Sequence, residues 1–186
     1  MNFRISVDNE INENSCGELI YKEDGIQIES EFQQAIVRKN SSGTVICLGK
    51  VKVKNKLKSI DIYFNEINKN SFQSVNQDLE GRFILVLIVG TSLFICSDQF
   101  GKLDIYYQYN QDSITLASNF DLLPANPAKD GYNQAALIHT LTYYGYCPPK
   151  KDTLYNSVKR LGIDEYAHIQ KRKLILTKRK FNAQIT

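Results

Sequence analysis

Few residues of the chain belong to the types that carry out nucleophilic or metal chemistry. The cysteines stand at positions 16, 47, 96 and 147, and the histidines at positions 139 and 168. The cysteines form no Cys-x-x-Cys pair, and the spacing around His139 and His168 is not that of a metal-ligand pair. Cys47 and Cys96 lie inside apolar runs, as small buried residues do. The sequence therefore predicts reduced thiols, no metal site and no cofactor.

Length and composition predict one soluble folded domain over residues 1–186. Hydrophobic residues make up 42% of the chain and charged residues 23%, which suits a packed core. The formal net charge of +3 is too small to indicate nucleic-acid binding. The longest apolar run, Phe83 to Val89, is too short to cross a bilayer, and the N-terminus lacks the apolar core of a signal peptide. We therefore expect a cytoplasmic protein that does not bind membranes.

Basic residues cluster late in the chain, in Lys171-Arg172-Lys173 and Lys178-Arg179-Lys180. One interpretation is a solvated strand at the protein surface, where lysines prevent pairing with other strands. The other interpretation is a docking surface for an acidic partner. The sequence leaves both open.

The hydrophobic pattern predicts many short strands. Phe3 to Val7 alternates apolar and polar residues, as a half-buried strand does, whereas the unbroken run from Phe83 to Val89 indicates a strand buried on both faces. Gly90-Thr91-Ser92 then predicts a hairpin turn into Leu93 to Cys96. Further strands are predicted at Ile26 to Ile28, Ala35 to Arg38, Thr44 to Leu48, Ile60 to Phe64, Asp104 to Tyr109, Ser113 to Ala117, Ala167 to Ile169 and Lys173 to Thr177.

Two segments have the spacing of helices, and one segment predicts an edge strand. Ser71 to Leu79 begins with a capping serine and places Phe72, Val75 and Leu79 on one face. Tyr132 to Tyr144 is followed by Gly145, a helix-terminating residue. Lys50 to Lys58 alternates lysine with valine and predicts an edge strand or its turn. The order of elements predicts an α+β sandwich of two sheets with outer helices.

Four segments in order resemble the N-terminal glutaminase-like domain of asparagine synthetases. They are Asp78-Leu79-Glu80-Gly81-Arg82-Phe83, the turn and strand from Asp98 to Tyr107, the segment from Leu116 to Leu123, and the segment from Leu141 to Leu161. The matching motif residues are Gly81, Phe83, Asp98, Phe100, Gly101, Tyr106, Tyr107, Ser118, Tyr144, Gly145 and Pro148. We expect these residues to be structural. The resemblance implies a class II glutamine amidotransferase-like domain with the four-layer αββα, N-terminal-nucleophile hydrolase-like fold of two mainly antiparallel sheets.

The same resemblance implies that the chemistry of the family is missing. Glutaminases of this family need an N-terminal cysteine whose own α-amino group is the general base, together with an oxyanion hole. Asn2 stands where that cysteine would be, so we expect no catalytic residue. Asn65-Glu66-Ile67-Asn68 is similar to the family's Asn-Gly-Glu-Ile-Tyr-Asn element but lacks its glycine. β-Lactam synthetases are members that keep the domain without the cysteine.

The function implied is that of a domain without glutaminase activity that supports or docks to an ATP-dependent amide-forming synthetase. The synthetase domain itself is not expected in this chain, because the Ser-Gly-Gly-x-Asp-Ser pyrophosphate loop does not occur. One alternative is an active amidotransferase after removal of a propeptide, because Cys16-Gly17 reproduces the Cys-Gly that opens mature family members. Another is a small-molecule or peptide-binding module, suggested only by the 11 tyrosines. A homodimer is also left open.

Overall fold

The computed structural model describes residues 2–7, 16–54, 59–109, 113–124, 126–142 and 151–179. The strands are β1 (Phe3–Val7), β2 (Glu18–Glu23), β3 (Ile26–Ser30), β4 (Ala35–Asn40), β5 (Gly43–Val53), β6 (Leu79–Val89), β7 (Ser92–Ser97), β8 (Tyr106–Tyr109), β9 (Ile114–Ala117), β10 (Val158–Arg160), β11 (Glu165–Gln170) and β12 (Lys173–Lys178). The α-helices are α1 (Ile60–Glu66), α2 (Pro127–Asp130) and α3 (Gln134–Thr142).

The chain divides into two compact units, each with one antiparallel sheet. The first unit combines Met1–Glu31 with Asp104–Gly162, and the second combines Phe32–Leu103 with Ile163–Thr186. Both units therefore take strands from an early and a late part of the chain.

The sheet of the first unit has the strand order β10-β8-β9-β1-β3-β2. β1 is an interior strand, with β3 on one side and β9 on the other. The predicted strand Phe3 to Val7 is confirmed with its bounds unchanged. The predicted hairpin between Asp104 and Ala117 is also confirmed as the pair β8 and β9. β2 and β10 were not predicted, because their alternation of exposed and half-buried residues is weak.

The sheet of the second unit has the order β12-β11-β7-β6-β5-β4. β6 lies between β5 and β7, and its residues from Phe83 to Leu87 are fully buried. The prediction that Phe83 to Val89 forms a central buried strand is confirmed, because unbroken apolar sequence is stable only where both faces of a strand are buried.

The predicted Lys50 strand is the second half of a longer strand, β5. Its first half pairs with both β4 and β6, whereas from Lys50 to Val53 the pairing partner is β6 alone. This half is therefore an edge, as the lysine pattern predicts. Residues 55–58 of the predicted segment lie outside the described residues.

Two predicted elements in the second unit are wrong. Ile60 to Phe64 is not a strand but the start of α1, because the Ser59 hydroxyl caps the helix by accepting from the Ile62 N–H. Ser71 to Leu79 is not an α-helix but a series of turns and a 3₁₀ turn, since the Asn68 side chain accepts from the N–H groups of Asn70 and Ser71. Phe64 of the first segment and Phe72, Val75 and Leu79 of the second still lie in the core, whereas Ile62 is exposed.

The remaining predictions agree with the structure over the described residues. The long predicted helix corresponds to α3, which begins at Gln134 and is described to Thr142. The two late strands are β11 and β12, joined by a tight turn at Lys171-Arg172 in which both residues have positive φ. Among the described helices, none has both the length and the apolar character needed to span a bilayer.

Candidate functional site

The start of β1 is where the sequence predicts a missing nucleophile. The residue there is Asn2, whose backbone N–H donates to the Glu31 carboxylate at 3.1 Å. The Ser118 hydroxyl accepts from the Phe3 N–H at 3.0 Å and donates to the Asn2 side-chain oxygen at 3.5 Å. Asn2, Glu31 and Ser118 thus meet at one end of the strand, and none of them supplies a thiol.

A buried ion pair lies two residues further along β1. Arg4 and Glu29 are directly opposite each other on β1 and β3, and the guanidinium donates to the carboxylate at 2.8 Å. Arg4 is 4% exposed and Glu29 5% exposed, so both charges are withdrawn from water. The Gln27 amide donates to the second carboxylate oxygen at 2.6 Å. A buried pair needs further hydrogen bonds to offset desolvation, and here the Glu29 carboxylate has bonds on both of its oxygens.

Cys16 is joined to this ion pair through its backbone. Its N–H donates to the Glu29 carboxylate at 3.0 Å, and its side chain is a free thiol that is only 5% exposed. Burial, followed by the negative charge of Glu29, raises the pKa of the Cys16 thiol to about 11. The thiolate is the nucleophilic form, so Cys16 in this conformation is a poor nucleophile at neutral pH.

Glu29 remains ionised in the same surroundings. Burial by itself would raise its pKa, but the N–H of Cys16, the Gln27 amide and the Arg4 charge outweigh burial and lower the pKa of Glu29. Arg4, Gln27, Glu29 and the Cys16 backbone therefore form one hydrogen-bonded unit, which we call the β1 network.

The segment Asn65-Glu66-Ile67-Asn68, compared above with the family's Asn-Gly-Glu-Ile-Tyr-Asn element, has a local structural role. Asn65 and Glu66 end α1, Ile67 is buried, and the Asn68 amide oxygen caps the following turn. The Asn68 NH₂ group donates back to the Glu66 carbonyl at 3.3 Å. The polar atoms of Asn68 are thus used by the turn itself.

The motif around Asp98 is a tightly bonded turn after β7. The buried Asp98 carboxylate accepts from the N–H groups of Phe100 and Lys102, each at 3.0 Å. Gly101 has φ +60, and a Cβ at this position would meet the Ile163 side chain, which would have to move to make room. Phe100, between Asp98 and Gly101, is 71% exposed on the turn.

Other motif residues support the sheets. Gly81 lies on β6 with φ +142, opposite Val51, where a side chain would collide with the Lys50 carbonyl. Phe83 belongs to the buried core of the second unit. The Tyr106 ring packs against Phe120 with centroids 4.3 Å apart. Tyr107 neighbours Tyr106 on β8, opposite Leu116 of β9 and Lys159 of β10. Tyr144, Gly145 and Pro148 lie outside the described residues.

Arg179 differs from the other late basic residues, because it is buried. It is 7% exposed, and its guanidinium donates to the Glu165 carbonyl at 2.7 Å and to the Ser97 carbonyl at 2.8 Å. A third bond reaches the Ser97 hydroxyl at 3.2 Å. The interpretation of the whole basic cluster as exposed is therefore wrong at Arg179, which holds the end of β7 to β11. Lys171, Arg172, Lys173 and Lys178 are exposed.

The histidines do not form a metal site with other described residues. The His168 ring stacks on Phe94 with centroids 4.2 Å apart, and burial and then the Lys69 charge lower the pKa of His168. His139 lies on α3. Over the described ranges, no group of three or more His, Cys, Asp or Glu side chains is placed to hold a metal ion.

The two sheets and the motif residues described above define a class of fold, and comparison with known proteins identifies which class it is. It has the fold of class II, N-terminal-nucleophile glutamine amidotransferases. Glutamine phosphoribosylpyrophosphate amidotransferase from B. subtilis, solved with ADP and GMP, matches 97% of the chain with a TM-score of 0.50 and 11% sequence identity. At this identity the likeness shows the fold alone, and the chain spans 43% of the length of that protein.

The family follows from the sequence itself. A family model described as "Glutamine amidotransferase domain" matches residues 66–181, and the chain belongs to this family. No curated protein matches the chain. The predicted resemblance to a class II glutamine amidotransferase domain and the predicted α+β fold are both confirmed.

Sequence reasoning missed two parts of the site. Ser118 was assigned to the scaffold, yet its hydroxyl contacts the start of β1. Arg4 and Glu29 were not singled out, although Arg4 lies inside the predicted strand Phe3 to Val7 and Glu29 directly follows the predicted strand Ile26 to Ile28. Only the pairing of β1 with β3 brings their charges together.

Proposed function

We propose that this chain is an asparagine synthetase-like amidotransferase domain without glutaminase activity, which acts in the cytoplasm by supporting or docking to an ATP-dependent amide-forming synthetase. The observation that carries the proposal is the start of β1, where Asn2 is bonded to Glu31 and Ser118. A carboxamide cannot attack the carbon of the glutamine amide as a thiolate does.

Cys16, a thiol in the described part of the first unit, does not replace the missing nucleophile. Cys16 is buried, its thiol has a raised pKa, and its nitrogen is a backbone N–H bonded to Glu29. A cysteine of the N-terminal-nucleophile type needs a free α-amino group as its general base. In the described conformation Cys16 lacks both the reactivity and the base.

Processing that exposes Cys16 would remove β1. This strand is an interior strand of its sheet, so its loss would separate β9 from β3. It would also remove Arg4 and leave the buried Glu29 carboxylate without its cation. These two losses support the proposal of an unprocessed, inactive domain over the alternative of a propeptide.

Docking to a synthetase draws support from the basic edge of the second unit. β12 is the last strand of its sheet, and Lys171, Arg172, Lys173 and Lys178 are exposed along it and its turn. Such charges would accelerate association with an acidic surface and make it sensitive to salt. Arg179 is excluded from this surface because its charge is used inside the fold.

Ammonia release from glutamine tests the loss of activity. We expect the purified full-length chain and its Cys16→Ala variant to release ammonia at the rate of a protein-free control. Intact-mass measurement on the same samples establishes that residues before Cys16 are present. Release that Cys16→Ala abolishes, together with a mass lacking those residues, would establish the processed enzyme instead.

Binding to a synthetase tests the second half of the proposal. The probe is a purified ATP-dependent amide-forming synthetase encoded beside this chain, titrated at increasing salt concentration. We expect binding that weakens as salt rises and that weakens further in an Arg172→Glu/Lys178→Glu variant. Binding that neither salt nor the charge reversal alters would remove the basic edge from the interface.

A further inference from the structure

The second unit carries an exposed aromatic residue on a rigid turn. Phe100 is 71% exposed, and Ile163, which covers the neighbouring Gly101, is 55% exposed. Lys102 extends over the Phe100 ring with its ammonium 5.6 Å from the centroid, and Lys54 donates to the Gln99 side chain at 3.3 Å. We call Phe100 and Ile163, with Lys54, Gln99 and Lys102, the Phe100 patch.

The turn is fixed by buried hydrogen bonds and not by contacts of the Phe100 ring with the core. Asp98 is 1% exposed and accepts from both Phe100 and Lys102, while the Gly101 N–H donates to the Asp98 carbonyl at 3.1 Å. The Asp98 N–H in turn donates to the Phe83 carbonyl of β6 at 3.0 Å. The backbone that carries the exposed ring is thus attached directly to the central strand of the sheet.

Arg179 attaches the same turn to the end of the described chain. Its guanidinium bonds the carbonyl and the hydroxyl of Ser97, the residue before Asp98. Its N–H donates to the Asp164 carbonyl at 2.7 Å, next to Ile163. Arg179 therefore bonds a residue close to each apolar residue of the patch: its guanidinium bonds Ser97, and its backbone N–H bonds Asp164.

A rigid, exposed aromatic residue has the properties of a binding hot spot. Hot spots are enriched in aromatic side chains with a polar rim, and a backbone that is already ordered loses little entropy on binding. A single exposed apolar residue is ordinary on a protein surface. Here the buried Asp98 carboxylate and the buried Arg179 guanidinium both bond the turn that carries Phe100. A ring that is exposed by chance does not require a turn stabilised in this way.

The charges around the patch indicate the kind of partner. Lys102 places one positive charge over the ring and Lys54 places a second at the neighbouring Gln99, whereas Asp98 is buried and bonded within the turn. A second copy of the chain that bound through the same patch would bring its own Lys54 and Lys102 against these two, and like charges repel. A partner with carboxylates at the rim of an apolar pocket would be attracted instead.

We propose that the Phe100 patch is the anchor through which this domain docks to its synthetase, with the Phe100 ring inserted in an apolar pocket that carboxylates surround. This inference rests on the proposed docking function and adds an apolar anchor to the basic edge. It predicts that the aromatic ring slows dissociation and that Lys54 and Lys102 add to the effect of the basic edge on the association rate.

The test measures binding of the neighbouring synthetase to single variants of the full chain. Phe100→Ala should weaken binding by roughly 10- to 100-fold, mostly through faster dissociation. Ile62→Ala is the matched control, because Ile62 is an apolar residue of the same unit that is 51% exposed; it should change binding less than about twofold. Lys102→Glu should slow association, while Lys39→Glu on β4 should leave the rate near that of the wild type.

The outcomes separate this inference from the docking proposal itself. If the synthetase binds the wild type and Phe100→Ala equally well, the patch is not the anchor, although docking stands. If the synthetase does not bind the wild type at all, both the docking proposal and the patch are overturned. Self-association of the wild type that Phe100→Ala abolishes in sedimentation experiments would assign the patch to a second copy and also overturn the inference. Equal thermal midpoints for the variants exclude misfolding as the cause.

Discussion

Each unit buries an arginine and a carboxylate. In the first unit they are Arg4 and Glu29 of the β1 network, and in the second unit they are Arg179 and Asp98, which bond the turn after β7. In the β1 network the two side chains bond each other, and the backbone of Cys16 bonds the carboxylate. In the second unit Arg179 bonds carbonyls of Ser97 and Glu165, and Asp98 bonds the N–H groups of the turn. In the first unit the two charges bond each other, whereas in the second unit each charge bonds backbone groups.

The difference explains what each region presents to the outside. In the β1 network the Glu29 carboxylate accepts from Arg4, Gln27 and the Cys16 backbone, so the buried charges join β1, β3 and the segment at Cys16. In the second unit the charges fix a turn, and the Phe100 side chain on that turn is exposed. The first arrangement is used within the fold, whereas the second also supports an exposed aromatic side chain.

The largest effect is expected from breaking the ion pair of the β1 network. Arg4→Met leaves the Glu29 carboxylate buried without its cation, which should lower the free energy of unfolding by about 3–5 kcal/mol. Arg38→Met is the matched control, because Arg38 pairs with Asp61 at the surface and should cost less than ~1 kcal/mol. Urea unfolding measures both variants. Equal losses for Arg4→Met and Arg38→Met would show that the buried pair has no special role.

A somewhat smaller effect is expected in the second unit. Arg179→Met removes the donors to two carbonyls and one hydroxyl, and leaving buried acceptors unsatisfied should cost roughly 3 kcal/mol. Arg172→Met, at the exposed turn between β11 and β12, should change stability by less than ~0.5 kcal/mol. If the two arginine variants unfold at the same urea concentration, Arg179 is not the structural residue that its contacts indicate.

Two glycines with similar backbone conformations isolate the packing of the Phe100 turn. Gly90 has φ +55 with open space around it, and Gly101 has φ +60 with the Ile163 side chain against it. Gly90→Ala should cost about 1 kcal/mol from backbone strain alone, and Gly101→Ala about 1 kcal/mol more. Thermal unfolding of the two variants gives the difference. A larger loss for Gly90→Ala would contradict the close packing of Ile163 on Gly101.

The smallest effect concerns alkaline pH and the Cys16 thiol. Its pKa is raised from 9.0 to about 11, so the stability it contributes is complete below pH 9 and is lost as pH rises towards 11. Between pH 8 and pH 10, the wild type should lose about 1 kcal/mol more of its unfolding free energy than Cys16→Ala does. The comparison cancels the other titrating groups. Parallel pH profiles would show that Cys16 is not buried as a neutral thiol.

Much of the fold can be predicted from the sequence because its strongest patterns are local. The unbroken apolar run of Phe83 to Val89 indicates a strand buried on both faces, wherever that strand lies in the sheet. The strand prediction for Ile60 to Phe64 is wrong because its local pattern is misleading. Its alternation of apolar and polar residues suits a strand, but the Ser59 cap and the core contact of Phe64 make it helical. Helix capping by a single hydroxyl leaves little trace in a hydrophobic pattern.

The site is less predictable because its partners are distant in sequence. Asn2 and Ser118 are separated by most of the chain, and Arg179 bonds Ser97 on the far side of β11. A basic residue next to other basic residues suggests a surface charge, and nothing local distinguishes Arg179 from Arg172. Strand pairing decides which of them is buried, and the pairing follows from the whole sheet.

We propose that β1 is a structural strand and that Cys16 does not act as a nucleophile. The most direct test is ammonia release from glutamine by a chain that begins at Cys16, prepared beside the full-length chain. We expect this shortened chain to release no ammonia above the protein-free rate. We also expect it to lose cooperative unfolding, because the sheet of the first unit would lose an interior strand. A cooperatively folded chain that hydrolyses glutamine, and loses that activity in Cys16→Ala, would contradict this proposal.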